Sequence, residues 1–89
     1  MEKINIIENN LELEKYNILV KDYLNYPNYI EANLVKDSII AKITQELSLE
    51  ETIYLKDYIS SMAILESGKR KLRLYELIAG IYNNYPFFK

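Results

Sequence analysis

The chain has 89 residues, 49% of them hydrophobic, a net charge of −2, and neither cysteine nor histidine. That length makes one domain, 1–89, with no room for a second core, and two glycines and two prolines argue against a linker-rich or disordered chain. The missing side chains exclude disulfides, thiolate chemistry, the usual zinc sites and the Ser-His or Cys-His nucleophile pairs.

The opening stretch MEKINIIENN has an acid at its second position and another at residue 8, which is not a signal-peptide pattern. Asn9 with Glu12 reads as a capping box for a first helix at about 9–25, with Leu13, Tyr16, Val20, Tyr23 and Leu24 on one face. Asn28 with Glu31, just after Pro27, opens a second helix at about 28–47, whose inner face gathers Ala32, Val35, Ile39, Ile40, Ile43 and Leu47. Ser48 with Glu51 is the clearest capping box and opens a third helix at about 48–66, aligning Tyr54, Leu55, Tyr58, Ile59, Met62 and Leu65. The last helix, about 69–84, aligns Tyr75, Ile78, Ala79 and Tyr82, flanked by Leu74, Ile81 and Tyr85. Gly68 is expected to stop the third helix in the left-handed C-cap position, the alternative being one long helix through it. Alternation at period two is absent except for a short stretch at 3–7. Short connections at 26–28 and 47–49 favour antiparallel neighbours. The pattern predicts an all-α protein, a small antiparallel bundle of three to four helices.

The sum of charges hides a split. Residues 1–66 carry six lysines against twelve acids, whereas 67–89 carry five cations against Glu76 alone. Four of those cations, Lys69, Arg70, Lys71 and Arg73, open the last helix, where the dipole disfavours positive charge. They are candidate partner-binding residues, the alternative being that they neutralise the acidic helices within the monomer. So are Tyr85, Phe87 and Phe88 of an aromatic tail at 85–89 that Pro86 separates from the helix, and that either folds back over the end of the bundle or stays available to a partner. Ile30, Leu34, Ile53 and Ile64 lie off the main apolar stripes, so their helices are either central in the bundle or part of an interface. In the second case these residues are candidates for self-association, a symmetric homodimer being the simplest form.

A helix-turn-helix can be tested on IIAKITQELSLEETIYLKDYI, with its turn at Leu47, Ser48 and Leu49. Its would-be reading helix begins with Glu50 and Glu51 and carries Asp57, all repelled by phosphate. Nucleic acid would have to be held by the basic segment 69–73 instead. No calcium loop or phosphate-binding loop is present, so no metal or cofactor is expected. The acidic pair Glu50 and Glu51 has a sufficient explanation in the helix dipole, so the chain is expected to be non-catalytic. Its longest apolar run, Leu77 to Tyr82, falls far short of the ~20 residues a membrane span needs. Abundant Ile, Lys, Asn and Tyr, whose codons are AT-rich, point to a low-GC bacterium, its phage or an AT-rich archaeal virus.

The expectation is a small acidic cytoplasmic protein that binds another protein, as a regulator or inhibitor. Nucleic-acid binding and self-assembly as a structural component are the alternatives. In size, missing catalytic groups and helical pattern it resembles, as a class only, small phage inhibitors of host or defence proteins and helical bacteriocin-immunity proteins. No family motif is present, and no functional residues carry over.

Overall fold

The computed structural model describes residues 11–85. Four helices follow one another: α1, Leu11–Asn25; α2, Tyr29–Glu46; α3, Leu49–Leu65; α4, Gly68–Asn84. No strand occurs among the described residues, so the chain is an all-α bundle. The expected capping box at Asn9 and the period-two stretch at 3–7 lie outside them.

Local chemistry sets most boundaries. Ser48 accepts from the Glu51 backbone N–H while the Glu51 carboxylate accepts from the Ser48 N–H, satisfying two orphan donors at the start of α3. At α2 only half of that device forms: Asn28 accepts from the Glu31 N–H at 3.0 Å. The break before α4 is real, but its chemistry differs from expectation. Glu66 caps α3, Ser67 is extended, and Gly68, at φ +62°, is the first residue of α4 rather than the cap of α3. A Cβ is strained at that angle, so glycine lets the chain reverse within two residues.

Two helical hairpins result. In the first, Tyr16 on α1 donates to Glu46 at the far end of α2 at 2.8 Å, so the two helices run antiparallel. This hydroxyl, followed by Lys15, holds the Glu46 carboxyl below its ordinary range. In the second, Lys56 of α3 stands 5.8 Å from the centroid of the Tyr82 ring on α4. α4 packs against all three other helices. By contrast α2 and α3, joined by only two residues, are not among the principal packed pairs, so a short connection did not make close neighbours there.

The core takes Leu13, Tyr16, Val20, Tyr23 and Leu24 from α1, and Ala32, Ile39, Ile40 and Ile43 from α2, with Leu47 just beyond it. α3 supplies Leu55, Ile59, Ala63 and buried Thr52, whose hydroxyl donates to the Ser48 carbonyl at 2.8 Å. The inner face of α4 is Leu74, Leu77, Ile78 and Ile81. Two expected core positions on α4, Tyr75 and Ala79, are exposed, and so is Leu65 on α3. α4 is apolar on both sides, so periodicity alone could not choose which side faces in. α4 approaches α2 closely at Gly80, where any Cβ would overlap Cδ1 of Ile40.

Candidate interaction surface

The run Lys69, Arg70, Lys71, Arg73 poses the problem of cations at the wrong end of a helix dipole. Arg73 resolves much of it. Its side chain is buried, 8% exposed, and one guanidinium nitrogen donates to the carbonyls of Tyr26 at 2.5 Å, Tyr23 at 3.3 Å and Leu24 at 3.4 Å. These carbonyls end α1 and begin the turn after it, where backbone acceptors lack intrahelical partners and a cation is favoured. The bond is returned, since the Tyr23 hydroxyl donates to the Arg73 carbonyl at 2.7 Å. Arg73 is therefore a cap for α1, and its expected place on a partner surface does not fit its burial. The sequence did hold a signal: Arg73, Leu77 and Ile81 follow one another at helical spacing on the inner face.

Arg70 performs a related task. It donates to Glu66 at 3.0 Å and to the Asn25 side chain at 2.9 Å, tying the turn between α3 and α4 to the end of α1. Lys69 is exposed and Lys71 partly buried, and neither has an ion-pair partner among the described residues.

Because Arg70 and Arg73 bind across it, the turn 26–28 and the turn 66–67 share one end of the bundle. Several exposed aliphatic side chains belong to the helix ends there, whereas Ile18, 56% exposed, lies in the middle of α1. Leu65 is 87% exposed, Ile64 73%, Ile30 71% and Leu72 56%, with Leu34, 66% exposed, one helical turn further along α2. Asp22, Asn25, Tyr26 and Pro27 line a shallow open depression at the same end. Of the four self-association candidates, Ile30, Leu34 and Ile64 thus lie at or near this end. Ile53, only 37% exposed, is toward the other end of α3. Tyr85 packs, partly buried, against the core, while Phe87 and Phe88 lie outside the described residues.

A second polar group sits just inside this end. Burial first, then the Glu76 charge, pushes the Tyr23 phenol far above its ordinary range, with Arg73 opposing. Glu76 accepts from the Tyr29 hydroxyl at 3.3 Å through one oxygen, and its other oxygen is buried without a hydrogen-bond partner. Asn17 Oδ1 on α1 is likewise buried without one. Among the described residues no cluster of acidic side chains could hold a metal ion, and no helix is long and apolar enough to cross a membrane.

Comparison of the chain with protein-family models, curated proteins and solved structures finds no match.

Proposed function

We propose that this chain is a small non-catalytic regulator or inhibitor, of the phage-inhibitor or immunity-protein kind, that acts by binding another protein. The observation that carries the proposal is that exposed Ile30, Ile64, Leu65 and Leu72 all belong to the one end whose two turns both arginines tie together. Single exposed aliphatic side chains need no explanation, but four at one end of so small a bundle, beside cations, support a surface that is covered when the protein acts. Nucleic acid fits the same end less well. Arg70 and Arg73 are engaged internally, and the two remaining cations sit among aliphatic side chains rather than in a continuous basic stripe.

The test is affinity capture from the cell that makes the protein, with wild type and a Leu65→Asp/Leu72→Asp variant side by side. Both positions are exposed, so the variant keeps its helical circular dichroism and melting temperature. A protein retained by wild type at moderate salt and lost by the variant supports the reading. Equal retention by both, or capture of nucleic acid alone, rejects it.

A further inference from the structure

Resting on that reading, we infer that the partner presents an aliphatic surface edged with carboxylates, and that Lys69 and Lys71 are the cations that recognise it. The four basic residues of α4 divide into two pairs by what they touch. Arg70 and Arg73 make five hydrogen bonds within the chain, to Glu66, Asn25, Tyr23, Leu24 and Tyr26, and so join the two turns into one platform before any partner arrives. Such preorganisation lowers the ordering cost of association. Lys69 and Lys71 contribute nothing of that kind. At about 100° per residue they fall on opposite sides of the exposed Leu72, so an aliphatic contact on Leu72 is flanked by positive charge on both edges. Within the monomer these two lysines oppose the dipole of their own helix, so a carboxylate supplied from outside is what they lack.

Other occupants fit less well for reasons visible at the same end. Asp22, Glu31 and Glu66 interrupt the cations there, so these form no continuous basic stripe of the kind that holds a lipid surface or a phosphate backbone. A two-fold contact between copies would bring Lys69 and Lys71 of both chains onto one patch, against like charge.

The probe is a synthetic amphipathic helical peptide with leucine on one face and glutamate along both edges, compared with the same peptide edged by lysine. Binding to the full chain is followed through the methyl signals of Ile64, Leu65 and Leu72 by nuclear magnetic resonance. The glutamate-edged peptide should move those signals and bind roughly tenfold or more tightly than its lysine-edged twin. A Lys69→Gln/Lys71→Gln variant should lose that preference at unchanged melting temperature. Equal affinity for the two peptides, shifts confined to other methyl groups, or a preference unchanged in the variant overturns the inference. So does binding to phosphatidylserine vesicles or duplex DNA in place of the peptide, or a doubling of mass that buries these methyl groups. A partner captured by wild type and lost by the Leu65→Asp/Leu72→Asp variant, together with no peptide preference, would sink this inference alone. Capture equal in both proteins would remove the underlying reading as well.

Discussion

Tyr23 has its ring in the core and its hydroxyl on the Arg73 carbonyl, so the folded protein holds the phenol neutral. A raised folded pKa contributes stability that is complete below the unfolded value of about 10 and is lost as pH climbs above it. Tyr23→Phe should therefore cost about 1 kcal/mol at neutral pH, through the lost hydrogen bond. Wild type then loses about 1.4 kcal/mol per pH unit relative to the variant, and urea melts should show the two crossing near pH ~11. A gap that stays constant into alkali would mean that Tyr23 ionises as easily folded as unfolded. Arg73→Met is predicted to cost about 2–3 kcal/mol by the same melts, because it leaves the end of α1 without its charged donor. Changing all four cations to Gln would therefore mix lost stability with lost recognition. Only the two lysines separate them. Single residues are the least legible scale in the sequence. A charge run read as a surface conceals which member turns inward, because that depends on what the other end of the chain leaves unsatisfied.

Gly80 decides how closely α4 and α2 pack. Replacing it by Ala gains ~1 kcal/mol of helix propensity but forces Ile40 aside in the core, and such overpacking costs about 1–3 kcal/mol. A net loss of about 1 kcal/mol is expected. Removing the obstructing methyl with Ile40→Val should reverse the sign, so that Gly80→Ala stabilises the protein once Ile40→Val is in place; an additive double-mutant cycle would refute the contact. Elements are where the sequence speaks most clearly. The caps at Asn28 and Ser48 and the stop before Gly68 place three helix boundaries within a residue or two, because these signals are local and chemical. Helix rotation is harder. α1 has one apolar face, and the stripe given by its spacing is the one that is buried. α4 has Leu72, Tyr75 and Ala79 outside as well as Leu74, Leu77, Ile78 and Ile81 inside. There the choice of face belongs to tertiary packing: Arg73 is drawn to the end of α1, and Gly80 fits against Ile40.

At the scale of the whole molecule, the placing of Leu34 on an outer face gives a clean test of self-association. Leu34→Glu puts a charge where the side chain is 66% exposed, so the variant should melt as wild type does. If the α2 face pairs copies of the chain, light scattering will show the mass fall on substitution; an unchanged mass assigns that face to another role. The arrangement of the helices is only partly legible. Of the short connections at 26–28 and 47–49, the expectation of adjacent helices holds for the first, α1 with α2. It does not hold as a principal pairing for α2 with α3, since α4 packs against both and takes the position between them. No local signal carries that information. It follows from α4 being apolar on more than one side, a property that the sequence displays but cannot assign.

The bond between Tyr23 and Arg73 spans 50 residues, and it has a consequence for the order in which the chain acquires structure. α1 leaves the ribosome well before α4, yet it ends in carbonyls whose donor sits on α4. Until α4 emerges, α1 and α2 form a hairpin with an unfinished end, α3 has only its smaller contact with α1, and the chain carries the acidic excess of its first 66 residues uncompensated. The bundle is therefore expected to be completed only once α4 is available, since α4 packs against all three other helices. A chain halted after Glu66 should accordingly show weak, non-cooperative helical circular dichroism, and a synthetic 67–89 segment added to it in excess should restore a sharp melt.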